Sequence, residues 1–566
     1  MDKKTKMKFN ILVIFAIIIF CISITPITLQ NDTYYTIKIG EHIIQNGIDM
    51  QDPFSWHENL AYTYPHWLYD VGTYLVYNYL GGFPAIYVAT AVLSCILGLA
   101  VYFVNMKLSK NQLTSFLITI GVMYILRNFV AARAQLVTFT LFILTILLIE
   151  KFLETKKKRY AIGLIIIPII IANVHLAVFP FYFVLYLPYI AEYIICLIAD
   201  SDFLKKLMIK SSKIKLLKLE KKMQAIANES AEYQKLQEKL AKVQENLNKQ
   251  EAKLEKTKIR RQEERKHPYR LKLQKNPAVK WLIVIMIICL FTGFLTPLGD
   301  TPYTYLIKTM EGNTTNSISE HQPLTLINDK EFICILVLFL AILIFTDAKI
   351  TLKDLFMLGG LLLLAFMQRR QISMFVLIGS VILNQLVCYL CDKYDKEGTQ
   401  KVIQFLTTWI GKVITILVIV VLALYFIRPK INNSIVSTSS YPVEAADYIL
   451  NNIDISTMKL YNEYNYGSYL LFRGIPVFID SRADLYAPEF NGTKNEEGKY
   501  EGRDIFSDFI NVSNINVYYE DIFKKYGITH VIVTKNAKLN LFLSRDNNYK
   551  ELYQDDHFII YEREIK

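Results

Sequence analysis

Long apolar runs separated by short polar stretches are the main feature of this sequence. The first run follows the basic start MDKKTKMKFN and covers about residues 11–29. Ten further runs lie at about 83–104, 113–126, 136–148, 161–172, 176–198, 281–295, 332–345, 355–367, 372–390 and 402–427. A helix needs about 20 apolar residues to cross a bilayer. The pattern therefore predicts an α-helical polytopic membrane protein with about eleven spans.

Charge around the first run predicts how the chain lies in the membrane. Four Lys precede the run, which places the N-terminus in the cytoplasm by the positive-inside rule. No small-residue cleavage pattern follows, so we expect a retained anchor rather than a removed signal peptide. An odd number of spans then puts the C-terminus outside the cytoplasm. The predicted location is the cell membrane, with a cytoplasmic N-terminus and an extracytoplasmic C-terminal domain.

Composition agrees with a membrane protein, and the net charge belongs to one segment. The 566 residues are 53% hydrophobic, with a mean hydropathy of +0.27. Residues 201–278 contain 22 Lys and Arg against 10 Asp and Glu, which accounts for the net charge of +12. Between Ile226 and Leu254, apolar residues recur at spacings of three and four, which predicts a coiled coil or helical hairpin. This cytoplasmic insertion either docks a protein partner or anionic lipid, or is a solvated addition.

The remaining chain divides into three further regions. Residues 1–200 and 279–428 form the two halves of the membrane domain. Residues 429–566 are hydrophilic and alternate strand-like runs (PVFID, HVIVT, FIIYE) with helical ones (VEAADYILNN, YEDIFKKY). This alternation predicts a small extracytoplasmic α/β domain, which either binds an acceptor or caps the membrane domain. No nucleic-acid partner is predicted.

Segment 31–70, which we expect to be an outer loop, carries the first candidate site residues. Asp32 and Asp52 lie among aromatic residues, and Asp32 stands where the first span ends. A carboxylate there is suited to take a proton from an acceptor hydroxyl, or to hold a Mg or Mn ion against a phosphate. We name both as candidate catalytic residues, Asp32 first. His66 begins an aromatic stretch expected at the membrane interface and is a candidate acceptor contact or structural polar residue.

Basic residues recur at turns that the predicted topology places on the outer side. They are Arg127, Arg133, His175, Arg369 and Arg370. Basic residues are depleted on that side, and a charge at membrane depth costs about 2.5–3.5 kcal/mol at a span centre. Forked guanidinium groups suit a phosphate, so we expect these residues to bind a donor phosphate. The alternative is that they snorkel to the interface or pair with Asp32 and Asp52. A shared site requires Asp32 and the basic residues to line one cavity.

A second polar cluster lies in FIDSRADLY of the C-terminal region. Asp480, Arg482 and Asp484 alternate, so an extended chain would direct all three to one side. They form either an acceptor-facing polar site or a buried Arg–Asp network that holds a turn.

Several motifs resemble a known family. They are NDTYYTIKIGEHIIQNGIDMQDPFSWHENLAYTYPHWLYD, RAQLVTFTLF, IIANVH, TPLGDTPYTY, RRQ and YNEYNYGSYLLFRGIPVFIDSRADLYAPEF. Together they resemble a bacterial group of polytopic proteins related to the GT-C superfamily of glycosyltransferases. The resemblance covers nearly the whole chain except residues 201–278. It implies inverting transfer from polyprenyl-phosphate sugars and an essential Asp in the first outer loop, where Asp32 matches by placement. The chain departs from better-known members in lacking a DxD in that loop and a WWD-type motif, and in having His66 before Trp67.

Three functions are compatible with these observations. The first is a GT-C-like glycosyltransferase that moves a sugar from a polyprenyl-phosphate donor to an envelope glycan or protein. The second is a non-catalytic membrane protein that binds or moves a lipid-linked glycan with the same basic residues. The third is an envelope assembly scaffold that works through the insertion and the C-terminal domain. The sugar, the acceptor and the need for a metal stay open at this stage.

Overall fold

The computed structural model describes residues 2–200, 202–224, 231–266, 271–312, 314, 318–395 and 397–564. These residues form two compact units, a larger one from 1–185, 284–339 and 358–566, and a smaller one from 186–283 and 340–357. The first helices of the larger unit are Lys3–Ile24, Asn31–Asn46, Trp67–Leu80, Phe83–Ser109, Gln112–Leu126, Gln135–Thr155, Lys158–Val174 and Phe179–Val184. Later helices of the chain, up to residue 427, are Val279–Phe291, Thr301–Glu311, Lys330–Phe345, Leu352–Met367, Ile372–Tyr394, Gly398–Thr407 and Trp409–Ile427.

Six helices within the described residues are long and apolar enough to cross a membrane. They are Lys3–Ile24, Phe83–Ser109, Gln135–Thr155, Leu176–Ile198, Arg369–Tyr394 and Trp409–Lys430, with Val279–Phe294 as a shorter apolar helix. Other predicted spans are short. Gln112–Leu126, for example, has 15 residues. At 1.5 Å per residue such a helix is about 22 Å long, less than the roughly 30 Å of bilayer hydrocarbon. The chain is therefore a helical membrane protein, but the count of about eleven spans is not confirmed, and its sidedness stays a prediction.

Residues 31–46, expected in a loop, form a helix with Asp32 in its first turn. The prediction failed because Tyr, Thr, Ile and Gly favour helix only weakly, and here tertiary packing decides the conformation. Gly40 lies so close to the helix Trp67–Leu80 that an added Cβ would be 2.1 Å from the carbonyl oxygen of Asp70. The missing side chain therefore lets these two helices touch.

A buried polar contact fixes the helix that follows Arg370. Asn384, on the helix Ile372–Tyr394, is fully buried. Its Nδ2 donates hydrogen bonds to Oγ of Ser109 at 2.9 Å and of Ser115 at 3.0 Å. Because an unpaired buried amide is costly, these bonds set the position of the helix against its neighbours.

The C-terminal region of the larger unit is an α/β structure. Its helices are Val443–Asn452, Tyr464–Phe472, Pro488–Asn491, Ile505–Asn514, Tyr519–Tyr526 and Asn540–Leu543. A four-stranded sheet has the order Leu460–Tyr461, His530–Thr534, Phe558–Arg563 and Tyr549–Gln554, with the first pair parallel and the others antiparallel. A separate antiparallel pair joins Thr493–Lys494 to Tyr500–Glu501. The run PVFID, expected as a strand, makes only an isolated bridge from Val477 to Ser55.

One hydrophobic core joins this region to the helix Asn31–Asn46. The ring of Tyr34 is fully buried, with centroids 4.9 Å from Tyr441 and 5.1 Å from Tyr469, both in edge-on packing. Such edge-on aromatic pairs add to the free energy gained by burial. The C-terminal region therefore shares its core with the N-terminal part of the chain.

The smaller unit contains the helices Leu187–Asp200, Phe203–Met223 and Ala231–Lys266, and a parallel pair of short strands, Leu271–Lys272 and Ile350–Thr351. The two long helices pair in opposite directions: Lys205 bonds to Thr257 at 2.8 Å, and Ser212 to Gln250 at 3.1 Å. Of the two predicted alternatives, a coiled coil and a helical hairpin, this arrangement corresponds to the helical hairpin. Ile226, the first residue of the predicted pattern, lies outside the described residues.

Candidate functional site

A polar cavity lies in the larger unit and consists of two neighbouring chambers that share lining residues. The helix-side chamber has a volume of about 180 Å³, and the domain-side chamber, which reaches residues 481–485 of the C-terminal region, about 520 Å³. Both chambers are lined by Asp32, Tyr35, His66, Arg133, His175, Phe181, Glu320, Arg370 and Gln371. The structure thus brings together Asp32, His66 and three of the five basic residues named from the sequence.

Asp32 and Arg133 form an ion pair in this cavity. Oδ2 of Asp32 is 2.7 Å from Nη2 of Arg133, and its side chain is 20% exposed. Nη1 of Arg133 also lies 3.5 Å from Glu320. Burial lowers the pKa of Arg133, but the carboxylates of Asp32 and Glu320 outweigh burial and raise it. Arg133 is therefore a cation that two carboxylates already compensate.

Arg370 enters the cavity with a different partner. Its Nη1 lies 2.8 Å from Nε2 of His321. Burial and the neighbouring Arg370 lower the pKa of His321 to about 4, so this imidazole is neutral at pH 7 and accepts the hydrogen bond. Among the described residues no carboxylate lies within ion-pair distance of Arg370. Arg370 thus offers a positive charge that has no direct contact with a carboxylate, with Glu320 and Asp484 acting on it only from a longer distance.

Two of the five basic residues do not line the cavity. Arg127 pairs with Glu331 at 3.0 Å, and its guanidinium carbon lies 4.1 Å from the ring centre of Tyr124. Arg369 pairs with Asp329 at 3.0 Å. Their charges are therefore used in separate ion pairs, with partners other than the expected Asp32 and Asp52.

Asp52 belongs to a buried network rather than to the cavity wall. Its Oδ1 is 2.8 Å from Nη1 of Arg482, whose Nη2 is 2.6 Å from Asp480. Both carboxylate side chains are 0% exposed. Burial raises the pKa of Asp52, but Arg482 and the hydrogen bonds from Ser55 outweigh burial and lower it. This network joins the segment after the first helices to the C-terminal region.

Asp480, Arg482 and Asp484 do not form the single row expected of an extended chain. The chain turns into a 3-10 helix at Ala483–Tyr486, so the alternation of an extended chain is lost. Asp484 lines the domain-side chamber, where its Oδ2 accepts a hydrogen bond of 2.5 Å from the hydroxyl of Tyr305. Arg482 also reaches this chamber, whereas Asp480 does not line it.

The carboxylates named as metal ligands do not fit a shared cation site. Asp32 is bonded to Arg133 and Asp52 to Arg482, so each has an arginine where a cation would stand. Within the ranges that the structure describes, no group of three or more His, Cys, Asp or Glu side chains is arranged to hold a metal ion. The two carboxylates are therefore not arranged to share a metal ion.

Sequence reasoning missed Asp70, which stands beside His66. The Asp70 side chain is fully buried, and its Oδ1 is 3.7 Å from Nδ1 of His66. Neither carboxylate oxygen has a hydrogen-bond partner among the described residues. Burial raises the pKa of this carboxyl, with His66 opposing the rise. The spacing of four residues within HWLYD was visible in the sequence and places both side chains on one helix face.

An apolar groove adjoins the polar cavity. It has a volume of about 770 Å³ and is lined by Leu68, Tyr69, Gly72, Thr73, Val76, Leu80, Gly81, Pro84, Ala85, Ile86, Val88, Ala89, Thr90, Val92, Leu93, Ala132, Val137 and Val174. Tyr69 lines both this groove and the helix-side chamber. A charged cavity and an apolar groove thus meet at one side chain.

No protein-family model and no curated protein matches this chain. Two solved structures of the oligosaccharyltransferase from Archaeoglobus fulgidus are similar to it. The form tethered through a disulfide bond to an acceptor peptide containing the NVT sequon has 13% identity and a TM-score of 0.49, and the apo form has 12% identity and a TM-score of 0.51. Each comparison covers 98% of this chain and 74% of the other chain. At this identity the likeness to the apo form concerns the fold alone. The chain therefore has a fold similar to that of the apo oligosaccharyltransferase.

Proposed function

We propose that this protein is a glycosyltransferase that moves a sugar from a polyprenyl-phosphate donor to an envelope acceptor on the outer face of the membrane. The observation that carries the proposal is the meeting of the charged cavity and the apolar groove at Tyr69. A polyprenyl-phosphate sugar has the same division, since a long apolar chain is joined to an anionic, polar head. The GT-C-like fold supports the same class of reaction.

The donor phosphate is assigned to the helix-side chamber, next to Arg370. A phosphate there accepts hydrogen bonds from the guanidinium fork in place of the single bond to His321. The isoprenoid chain then follows the groove past Tyr69, where apolar side chains replace lipid tails as its surroundings. Arg133 lines the same chamber and adds positive charge once its carboxylate partners rearrange.

Transfer is a single displacement in this proposal. The acceptor oxygen forms a bond to the anomeric carbon, and the bond from that carbon to the phosphate breaks. Its electron pair leaves with the polyprenyl phosphate, whose growing charge Arg370 stabilises. A base must take the acceptor proton, and Asp32 is the candidate named from the sequence. The domain-side chamber, lined by residues 481–485, leaves room for the acceptor.

A non-catalytic carrier of a lipid-linked glycan is the second candidate. The observation that favours it is the ion pair between Asp32 and Arg133, because this contact occupies the carboxylate that a transferase would use on its acceptor. Such a carrier would bind the same donor in the same cavity without turnover. An assembly scaffold would need neither the cavity nor the donor.

The test uses neighbouring arginines with different surroundings. The purified full chain in lipid nanodiscs is titrated with a panel of undecaprenyl-phosphate hexoses, and binding and transfer to an envelope extract are measured. Arg370→Ala should weaken donor binding at least 10-fold, whereas Arg369→Ala, which removes a side chain outside the cavity, should change it less than 2-fold. Binding without transfer by the unaltered protein would favour the carrier. Equal effects of the two substitutions would refute the phosphate assignment.

A further inference from the structure

A second candidate base, His66, lines the same cavity as the Asp32–Arg133 ion pair. His66 is the residue that precedes the helix Trp67–Leu80, and its carbonyl accepts the first-turn hydrogen bond from the backbone N–H of Asp70 at 2.9 Å. This turn places the two side chains together, with Nδ1 of His66 3.7 Å from Oδ1 of Asp70. The pair is therefore held by the first turn of a helix.

Asp70 is an unusual carboxylate, because it is fully buried without a hydrogen bond from the described residues. A buried carboxylate without a partner is strongly destabilising unless something else compensates its charge. The nearest ionisable nitrogen is that of His66, and no described arginine or lysine lies within ion-pair distance. Asp70 is therefore arranged to interact with a proton or positive charge on His66.

His66 connects this buried carboxylate to the cavity. Its side chain is 21% exposed and lines both chambers. Its ring stacks on Tyr35 at 6.3 Å and lies 5.8 Å from the ring of His175. In the tautomer that has its proton on Nδ1, the nitrogen nearer to Asp70, Nε2 carries the lone pair, and no described residue donates a hydrogen bond to Nε2.

We propose, on the basis of the transferase function above, that His66 is the catalytic base and Asp70 the positioning residue that fixes its tautomer. As the acceptor oxygen bonds to the anomeric carbon, Nε2 of His66 takes the acceptor proton, and the phosphate leaves with the electron pair of the broken bond. Asp70 stabilises the imidazolium, which afterwards releases its proton to water. Asp32 then has a different task, which is to hold Arg133 in place.

A histidine base acts in its neutral form, so the pH profile of transfer should respond to the charges that surround it. The titratable and charged groups around His66 are Asp70 on its own helix, Asp484 from the C-terminal region, His175, and the cavity residues Asp32, Glu320, Arg133 and Arg370. Asp70→Asn removes the charge that stabilises the imidazolium, and should move the acidic limb to lower pH while lowering the maximal rate.

The experiment compares two histidine–aspartate pairs in the full chain. His66→Gln should lower the transfer rate at saturating undecaprenyl-phosphate hexose about 100-fold or more, with donor binding changed less than 2-fold. Added imidazole should restore part of the activity of His66→Ala, a rescue that a purely structural role would not produce. His42→Gln is the matched control, since His42 pairs with Asp49 at 3.0 Å and does not line the cavity. Its rate should stay within 2-fold of the unaltered protein.

The possible failures are distinguishable. If the unaltered protein transfers sugar and His66→Gln keeps more than half of the rate, the base assignment is overturned and the transferase function stands. If the unaltered protein binds donor but transfers nothing, both the base assignment and the transferase function are overturned. A comparison of thermal unfolding midpoints separates loss of folding from loss of chemistry. If Asp70→Asn is folded and has an unchanged pH profile, Asp70 has no positioning role.

Discussion

Arg133 and Arg370 line the same cavity but differ in what compensates their charge. Arg133 already contacts two carboxylates, Asp32 and Glu320, so an incoming phosphate must replace them. Arg370 contacts the neutral imidazole of His321, which costs less to give up. Because a phosphate brings the opposite charge and can accept two parallel hydrogen bonds from the guanidinium fork, which a neutral imidazole cannot, a phosphate gains most at Arg370. We therefore expect Arg370 to contribute more to donor binding than Arg133.

His321 should make the stability of the protein depend on pH. Its pKa is lowered from 6.5 to about 4 by burial and Arg370, so between these values the unfolded chain binds a proton that the folded chain does not. Stability must therefore fall as pH decreases through this window, by at most about 2–3 kcal/mol. His321→Gln, which keeps a hydrogen-bond acceptor but does not titrate, should reduce the loss. Unfolding midpoints at pH 7 and pH 5 measure this loss of stability, and the exposed His557→Gln is the control. If His321→Gln loses as much stability as the unaltered protein, the prediction is contradicted.

At the scale of elements, the contact of the helices Asn31–Asn46 and Trp67–Leu80 organises the site. The first carries Asp32, and the second begins after His66 and contains Asp70. Their close approach at Gly40 sets the separation between the ion pair and the histidine–aspartate pair. A change in this contact should act on both sides of the cavity.

Two glycine substitutions test the helix contact. Gly40→Ala would place Cβ 2.1 Å from the carbonyl oxygen of Asp70, so the helices must separate. Overpacking of this kind costs about 1–3 kcal/mol, and transfer should fall because His66 moves with its helix. Gly72→Ala is the matched control: its Cβ meets no atom within 4 Å, so it should be neutral or stabilising by up to about 1 kcal/mol. Equal unfolding midpoints for both variants would disprove close contact.

Local sequence patterns predicted most of the helices but not the elements that tertiary contacts decide. The run PVFID is strand-like, yet its backbone finds partners in a side chain: Oδ1 of Asn462 accepts from Phe478 N–H at 2.9 Å, and its Nδ2 donates to Ile479 O at 2.7 Å. An asparagine thus replaces a neighbouring strand. No periodicity in the sequence reveals that a side chain takes the place of a neighbouring strand.

The candidate site was partly accessible to sequence reasoning. Charge at predicted outer turns selected Arg133 and Arg370, which line the cavity, together with Arg127 and Arg369, which do not. The difference lies in distant acidic partners, Glu331 for Arg127 and Asp329 for Arg369, and the sequence alone does not show these pairings. Polarity and spacing identify candidates, whereas three-dimensional pairing decides which charges stay available.

At the scale of the whole molecule, Arg482 links the segment around Asp52 to the C-terminal region. It contacts Asp52 and Asp480, and its guanidinium carbon lies 4.9 Å from the ring centre of Tyr62. The exposed fractions are 3% for the arginine and 0% for both carboxylates. Removing one member of a buried network leaves unpaired charge, which makes this contact sensitive to substitution.

Arg482→Ala should therefore destabilise the protein by about 3–5 kcal/mol, because two buried carboxylates lose their cation. Lys494→Ala is the control, since it breaks an exposed pair with Glu311 and should cost no more than about 1 kcal/mol. Limited proteolysis and unfolding midpoints of the purified chains measure both effects. Similar behaviour of the two variants would contradict the role of the buried network.

The predicted sidedness can be tested on the intact cell. In a cysteine-free background, Ser439→Cys in the C-terminal region should react with a membrane-impermeant maleimide added outside. Lys235→Cys in the helical hairpin should react only after the membrane is permeabilised. Both positions are exposed to solvent, so accessibility of the side chain itself does not differ. Labelling of residue 235 in intact cells would reverse the predicted topology.

The shared aromatic core has a consequence for biogenesis. Tyr34 finds its partners Tyr441 and Tyr469 only after some 400 further residues have been synthesised. At about 5–20 residues per second, the aromatic face of the helix Asn31–Asn46 waits roughly 20–80 s for the surface that covers it. During translation the nascent chain must therefore be protected from aggregation at this face, and truncation before residue 441 would leave it permanently uncovered.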